Sequence, residues 1–311
     1  MARSCILLAV AALVLQVLLC VADEVVTTRT PDYGTVNTSW VVDQSNATAT
    51  LALTMAASSL GSLPLGVGRT QLTAVGDVVQ LPSTARSACF DHAEIDWNPV
   101  GHNPTHGSDG YGVPHFDMHF FTVSPTQRDG IQYSGASGLG GNNSEGVLAP
   151  FLARPPEELM PGDMVLDPAS SVPRQGIHWV EAAEMDAIYG PSRHGNPFGH
   201  WSGLSFMVGS YTGNISFLEI MVSLDYLLEM AQKAHAMAAG SQLVVEGQVP
   251  QPLGGPAAVA KQWGSPDAWP VSYFVSFQSA APNTTSTSAY TFGWRFPSPP
   301  PGTVQTNTST P

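Results

Sequence analysis

The sequence predicts an α+β fold that is predominantly β, with antiparallel hairpins, one main helix and long loops. Short runs of β-branched and aromatic residues recur along the chain between clusters of Gly, Pro, Asn, Asp and Ser, which is typical of strands and turns. One segment, at about residues 224–239, combines good helix formers with apolar residues at helical spacing and a following Gly240. We therefore expect a sheet structure with a single long helix.

Paired strand-like runs predict three hairpins. The first joins Thr35–Val42 to Ala47–Met55, the second joins Leu204–Tyr211 to Ile215–Ser223, and the third joins "VSYFVSF" to "AYTFGWRF". The runs "DVVQLP", "AEIDW" and "HFDMHFFTV" are further strand candidates. The segment "RPPEELMPGDM" predicts at most a short helix, and the Gly-rich stretch 133–146 predicts a loop.

The chain divides into four predicted parts. Residues 1–22 form a signal peptide, because Arg3 precedes an apolar run that ends in small residues. Residues 23–240 form a β-rich core domain that carries the candidate site. Residues 241–296 contain a Pro- and Gly-rich linker, Leu243–Gln262, and a terminal hairpin that packs on the core. Residues 297–311 form a disordered tail rich in Pro, Thr and Ser.

Several features agree with secretion. Six N-x-[ST] sequons lie in the chain, at Asn37, Asn46, Asn142, Asn214, Asn283 and Asn307. Only Cys89 remains after removal of the signal peptide, so the fold depends on its core and not on an internal disulfide. We expect a secreted, extracellular glycoprotein, because no later segment is apolar and long enough to span a bilayer.

The composition also limits the classes of molecule that the protein is expected to bind. The formal net charge of −13 argues against nucleic acid as a partner. The Gly-rich stretch lacks the strand-to-helix context and the Lys-Ser/Thr ending of a phosphate-binding loop, so we expect no nucleotide cofactor. The remaining candidates are a small molecule or another extracellular ligand, and the sequence leaves a homo-oligomer open.

The segment "PHFDMHFF" carries the strongest chemical pattern. His115, Asp117 and His119 alternate with Phe116, Met118 and Phe120, which predicts a strand with one polar and one apolar face. His115 and His119 begin about 13 Å apart on such a strand, so one metal ion is not expected to bind both. Either histidine can converge with Asp117, or Asp117 can orient an imidazole that binds a metal.

Other parts of the chain must complete such a site. We expect His102 in "WNPVGHNP", His178 in "QGIHWVE" and Glu219 in "ISFLEIMV" to contribute, since a carboxylate in an apolar strand needs a partner or water. Histidine and carboxylate ligands suit Zn²⁺, Mn²⁺ or Fe²⁺. The simpler interpretation is a polar core network, and His92 beside Asp91 is predicted to be a surface pair.

Five blocks in fixed order also carry a family resemblance: "YGTVNTSWVVD", "IDWNPVGHNP", "PHFDMHFF", "GIHWVE" and "FMVGSYTGNISFLEIM". Together they make the chain, from about Tyr33 to Phe296, similar to a family of largely uncharacterised secreted proteins known as a domain of unknown function. The resemblance implies a W-N-P-x-G-H, P-H-F-D-x-H-F, G-x-H-W and F-L-E pattern. Its ionisable motif positions are His102, His115, Asp117, His119, His178 and Glu219. The chain departs from the pattern at Gln175 and Ile220.

Two functions remain open at this point. In the first, these six ionisable residues line one pocket that binds a divalent metal, and Asp117 or Glu219 is the candidate catalytic group. A bound metal would then activate water or polarise a substrate oxygen. In the second, the protein is a non-enzymatic extracellular binding or assembly protein whose His/Asp/Glu cluster is a structural hydrogen-bond network.

Overall fold

The structure is a computed structural model, and it describes residues 22–43, 47–63, 76–102, 111–131, 152–193, 201–281 and 284–297 of the 311-residue chain. Strands dominate these residues, and they form two antiparallel sheets. The predicted signal peptide up to Val21, the Gly-rich loop and all of the predicted tail except its first residue, Pro297, lie outside the described residues. The prediction of a predominantly β fold is confirmed.

The first sheet has six strands and joins the two ends of the described chain. Its order is β1-β2-β3-β13-β12-β11. These strands are β1 (Ala22–Thr30), β2 (Gly34–Asp43), β3 (Thr48–Ala56), β11 (Gln242–Gln248), β12 (Ser272–Gln278) and β13 (Ala289–Phe296). Because β13 pairs with β3, the terminal hairpin belongs to the same sheet as the N-terminal strands.

The second sheet has seven strands and carries the predicted site residues. Its order is β4-β5-β6-β10-β9-β8-β7. These strands are β4 (Asp77–Gln80), β5 (His92–Asn98), β6 (His115–Phe121), β7 (Met164–Val172), β8 (Gly176–Glu181), β9 (Leu204–Tyr211) and β10 (Asn214–Ser223). The predicted hairpin of β9 and β10 therefore lies in the centre of this sheet, next to β6.

The apolar face of the second sheet packs on the first sheet. Phe116 of β6 contacts Tyr33, with ring centroids 5.9 Å apart, and Phe120 contacts Trp294 of β13 at 5.5 Å. Both residues belong to one core cluster that includes side chains of both sheets. Because side chains alternate along a strand, this packing turns His115, Asp117 and His119 to the opposite face.

Within the described residues, five α-helices connect the strands: α1 (Ser83–Ala88), α2 (Pro125–Asp129), α3 (Ala182–Arg193), α4 (Leu224–His235) and α5 (Gly255–Trp263). Short 3-10 helices cover Ala57–Ser62 and Glu157–Leu159. The second of these agrees with the short helix predicted in "RPPEELMPGDM". None of the helices in the described ranges is long and apolar enough to cross a membrane.

The expectation of one main helix needs correction. Helix α4 begins as predicted, where Ser223 caps it by accepting a hydrogen bond from the Tyr226 amide. It ends at His235, because Leu227, Met230 and Ala234 are its buried residues and the next four residues are exposed. Helix α3 also has 12 residues. Its sequence contains Gly190 and Pro191, so tertiary packing, and not propensity, accounts for it.

The expectation of linker at Leu243–Gln262 is wrong. Strand β11 occupies its start, and pairing with β12 supplies the backbone hydrogen bonds that stabilise it. Helix α5 occupies its end, and Pro256 lies in the first turn, where a missing N–H is tolerated. The Pro and Gly residues between β11 and α5 thus separate these two elements, and they do not indicate an unstructured linker.

Candidate functional site

The polar face of the second sheet is built by two neighbouring strands with the same alternation. On β5 the polar positions are His92, Glu94, Asp96 and Asn98, and all four are buried. In the pairing with β6, Glu94 lies opposite His119, Asp96 opposite Asp117, and Asn98 opposite His115. Side chains on directly opposed residues lie on the same face of a sheet. The face is therefore a buried layer of imidazole and carboxyl groups.

The first candidate metal site, called the outer triad below, consists of His102, His115 and Asp117. One potential ligand atom from each lies within 4.8 Å of the other two. His115 Nε2 is 3.3 Å from Asp117 Oδ1, and His102 Nε2 is 3.5 Å from Asp117 Oδ2. The His102 side chain is 46% exposed, whereas the other two side chains are buried. The outer triad is thus open to solvent on one side.

Backbone contacts orient both histidines of the outer triad. His115 Nδ1 donates a hydrogen bond to the Val113 carbonyl oxygen at 2.6 Å, which directs Nε2 toward Asp117. The His102 amide donates to the Tyr111 carbonyl oxygen at 3.0 Å. Gly101 permits this turn, because it has φ of +70° and a Cβ there would lie 2.4 Å from that oxygen.

Asp117 is held from its other side by an amide. Asn98 Nδ2 donates a hydrogen bond to Asp117 Oδ2 at 2.7 Å. Asp117 Oδ1 and His115 Nε2 have no hydrogen-bond partner among the residues that the structure describes. Burial alone would raise the pKa of Asp117, but His115, His102 and His119 hold it well below its usual range. Asp117 is therefore a carboxylate, as metal coordination requires.

The second candidate metal site, called the inner triad below, consists of His119, His178 and Glu219. Its ligand atoms also lie within 4.8 Å of one another, and all three residues are buried. Glu219 Oε2 is 3.6 Å from His119 Nε2 and 3.5 Å from His178 Nε2. Strand register accounts for the first contact, because His119 and Glu219 are directly opposed in the pairing of β6 with β10.

A glycine allows His178 to approach this group across the sheet. Gly209 of β9 lies between His178 of β8 and Phe217 of β10 in the strand pairing. A Cβ at Gly209 would lie 2.0 Å from Phe217 Cε1, so the Phe217 ring occupies the space above the glycine. That ring contacts both histidines, with centroids 4.8 Å from His119 and 5.0 Å from His178. Close packing thus fixes both imidazoles.

The pKa values of the inner triad are shifted because more carboxyl groups than positively charged groups are buried around it. Burial raises the pKa of Glu219 well above its usual value; His119 opposes this shift, while Asp117 and Asp96 add to it. Burial alone would lower the pKa of His119, but Glu219, Asp96 and Asp117 raise it to about 10. Without a bound cation, protons neutralise part of this layer.

A buried ion pair between Arg128 and Glu94 adds a positive charge to this layer of imidazole and carboxyl groups. Arg128 of α2 donates from Nη1 to Glu94 Oε2 at 2.6 Å, and both side chains are buried. Even so, burial and the nearby Asp96 raise the pKa of Glu94 to about 7, against the opposing effect of Arg128. Arg128 is the only Lys or Arg among the buried side chains in the described ranges. Its single charge faces several carboxyl groups.

An aromatic wall borders the outer triad. The Trp201 ring lies edge to face against His115 at 5.6 Å and against Tyr111 at 5.4 Å. Tyr111 Oη donates to Glu184 Oε1 at 2.6 Å, and Ser205 Oγ donates to the same atom at 2.5 Å. Burial raises the pKa of Glu184 to about 7, despite these two hydrogen bonds. A carboxyl with a pKa near neutrality is therefore hydrogen-bonded to Tyr111 of this aromatic wall.

The structure thus brings all six predicted side chains to one face of one sheet and divides them into two triads. His115 and His119 belong to different triads, as the strand spacing predicts. Strand β5 lines the site with Glu94, Asp96 and Asn98, which were not predicted from the sequence. Arg128 and Glu184 were not predicted either. The alternation "HAEIDWN" resembles that of "HFDMHFF" and was the available signal for β5.

The prediction that His92 forms a surface pair is wrong in part. His92 Nδ1 does lie 3.1 Å from Asp91 Oδ1, but the imidazole is buried. It stacks on Phe121 with centroids 4.8 Å apart and an angle of 8°. His92 is the first residue of β5 and lies on the same face as Glu94. The strand geometry therefore buries it.

No protein-family model matches the chain. No curated protein matches it. No solved structure matches it. The family resemblance drawn from the sequence blocks stays a prediction.

Proposed function

We propose that the protein is a secreted glycoprotein that binds a divalent metal ion at the outer triad of His102, His115 and Asp117. The observation that carries the proposal is the pair of buried atoms without hydrogen-bond partners in the described part of the chain, His115 Nε2 and Asp117 Oδ1. Buried polar atoms are nearly always paired, and two such atoms 3.3 Å apart fit the ligand positions of a metal ion. Both are metal-ligand atoms.

The donor set and its surroundings support this function. Two imidazoles and one carboxylate suit Zn²⁺, Mn²⁺ or Fe²⁺. The Val113 carbonyl fixes the tautomer of His115, and Asn98 holds Asp117, which are the kinds of contact that orient metal ligands. In a non-enzymatic hydrogen-bond network, His115 Nε2 would donate to Asp117 Oδ1, whereas these two atoms lie 3.3 Å apart without a hydrogen bond of good geometry.

The open side of the outer triad suggests how the metal would be used. Because His102 is exposed, a small extracellular ligand with an oxygen donor can approach from solvent. A bound divalent ion would supply Lewis-acid polarisation of such an oxygen. Asp117 serves as ligand in this arrangement, and Trp201 and Tyr111 line one side of the approach.

The test is elemental analysis of the untagged protein secreted from a eukaryotic host and never exposed to chelator. We expect a transition metal in the wild type, and we expect it to be lost from the outer triad in Asp117→Asn. His235→Gln is the matched control, because His235 is an exposed histidine on α4. Circular dichroism spectra establish that each variant is folded.

Two results would contradict the proposal. A folded wild type without metal, secreted into medium that contains zinc, manganese and iron, would leave the structural network as the function of these residues. Loss of metal from His235→Gln to the same extent as from Asp117→Asn would mean that the metal was bound elsewhere.

A further inference from the structure

The inner triad has the geometry of a second ion site. Ligand atoms around a tetrahedral ion with bonds of about 2.0–2.2 Å lie roughly 3.3–3.6 Å apart. Glu219 Oε2 is 3.5 Å from His178 Nε2 and 3.6 Å from His119 Nε2, which matches this spacing. The same distances are too long for good hydrogen bonds between these atoms.

Two further observations point to a ligand. His119 Nε2 and Glu219 Oε2 are buried and have no hydrogen-bond partner among the described residues. His119 Nδ1 lies 2.9 Å from Asp96 Oδ2. A carboxylate at one ring nitrogen of a histidine directs the other nitrogen to a metal and raises its basicity. Asp96 is therefore placed as a positioning residue for His119.

The charge of the polar face favours more than one cation. Four buried carboxyl groups line it, and they are those of Glu94, Asp96, Asp117 and Glu219. Arg128 is the one buried side chain with a permanent positive charge that the described ranges contain. Burial of unpaired carboxylates is costly, so cations that bind between them stabilise the face. With one divalent ion at the outer triad, Glu219 and Asp96 share a single buried partner that can carry positive charge, the His119 imidazole.

A single shared ion does not fit the six residues. The ligand atoms form two separate groups of three, and His115 and His119 lie four residues apart on one strand. The carboxyl groups of Asp117 and Glu219 interact with each other, so the two groups are adjacent. Both triads can therefore hold an ion at the same time.

We propose that the inner triad of His119, His178 and Glu219 binds a second divalent cation, and that the two triads together form a two-ion centre. This inference rests on the proposed function for the first ion. The two ions have different roles. The inner triad is closed, since none of its side chains is more than 8% exposed, and its ion stabilises the sheet. The outer triad is open at His102, and its ion exchanges with solvent and meets the ligand.

The test counts ions in the full secreted chain and its variants. We expect two ions per wild-type chain, one ion in His102→Gln and one ion in His178→Gln. Dialysis against EDTA followed over time should remove one ion at least tenfold faster than the other. The fast ion should be absent from His102→Gln, and the slow ion should be absent from His178→Gln. His235→Gln is the control and should keep both ions.

The outcomes separate this inference from the proposed function. One ion in the wild type that is retained in His178→Gln and lost in His102→Gln overturns the two-ion centre and leaves the proposed function intact. No ion in the folded wild type overturns both. If His178→Gln does not fold, His102→Gln decides, because its side chain is exposed. One slowly exchanging ion in that variant supports the inference, and none contradicts it.

Discussion

The Arg128 guanidinium lies 2.6 Å from the Glu94 carboxylate, and both side chains are buried. Helix α2 places Arg128 there, and a capping box between Ser124 and Gln127 fixes the start of this helix. Arg128 Cζ also lies 5.7 Å from the centre of the Phe121 ring. A short helix thus delivers a positive charge to a layer that is otherwise acidic.

Removal of this charge should destabilise the fold. We expect Arg128→Met to lower the free energy of unfolding by about 3–5 kcal/mol at pH 8, because Glu94 is left buried and unpaired. The loss should be smaller at pH 5, where Glu94, with a pKa already raised to about 7, is protonated. Urea denaturation at both pH values measures the difference. Arg174→Met is the control and should cost less than about 1 kcal/mol, since its pair with Asp129 is exposed.

Gly209 should tolerate no side chain. In Gly209→Ala the new Cβ would lie 2.0 Å from Phe217 Cε1, so the ring must move. We expect a loss of about 1–3 kcal/mol in the free energy of unfolding, as for other overpacked cores. Gly61→Ala has open space around it and should change this free energy by less than about 0.5 kcal/mol. Equal effects of the two substitutions would show that Phe217 adapts without cost.

Glu184 should make stability depend on pH. Burial raises its pKa from 4.5 to about 7, so the unfolded chain releases this proton at lower pH than the folded protein does. Its contribution therefore favours folding below about pH 4.5 and is lost as pH rises to about 7. The change is at most about 3.5 kcal/mol, since one pKa unit corresponds to about 1.4 kcal/mol.

Glu184→Gln tests this directly, because it keeps the hydrogen-bond acceptor and removes the titration. The variant should lose less stability than the wild type between pH 4.5 and pH 7 in thermal or urea denaturation. Glu229→Gln, at an exposed position on α4, is the control and should keep the wild-type slope. A Glu184→Gln slope equal to that of the wild type would assign the pH dependence to other carboxyl groups.

Asn98 should tune metal affinity through Asp117. Its side chain donates to Asp117 Oδ2 at 2.7 Å and thereby orients the carboxylate. We expect Asn98→Ala to weaken metal binding about 10- to 100-fold, as for other groups that orient a ligand. Competition with a chromophoric chelator measures the affinity. Gln251→Ala is the control, because that amide donates to the Val249 and Pro270 carbonyl oxygens away from both triads. Unchanged affinity in Asn98→Ala would mean that Asp117 needs no such support.

Secretion and glycosylation can be tested on the same protein. Removal of the predicted signal peptide should leave Asp23 as the first residue. Asn214 is exposed at the start of β10, so a glycan can be carried there. We expect Asn214→Gln to reduce the mass by one glycan, and Asn103→Gln to leave the glycan count unchanged, because Pro104 follows Asn103. An intracellular protein with Met1 retained would contradict the predicted address.

The candidate site could be foreseen in part, and β6 shows why. The two-residue period of "PHFDMHFF" is a local property of an extended chain, so it predicts one polar and one apolar face without knowledge of the fold. The same argument separates His115 from His119. Which residues contact one another cannot be predicted in this way. His119 contacts Glu219 only because β6 pairs with β10, and these two residues lie 100 positions apart in sequence. Local patterns do not specify which strands become neighbours.

Where the local sequence is ambiguous, tertiary packing determines the secondary structure and burial of the residues. Helix α3 contains Gly190 and Pro191, yet Met185 and Ile188 pack with Met207 and Met221 of the second sheet. Strand β11 lies in a Pro- and Gly-rich region and forms because β12 offers it an edge. His92 has a polar neighbour in sequence, but strand β5 turns it into the interior. In each case burial and backbone pairing outweigh local propensity, and both depend on residues distant in the chain.

The amino-acid sequence alone was therefore enough to predict the β-rich class and the alternation of polar and apolar residues in β6. It also identified the six ionisable residues that the structure brings to one face of the sheet. The tertiary structure decided that these residues form two triads and that Asp96, Asn98 and Arg128 support them. The physical reason is the distance along the chain over which each effect acts. Side-chain alternation and helix spacing involve only a few consecutive residues. Strand register, burial and the balance of buried charge are set by the whole fold.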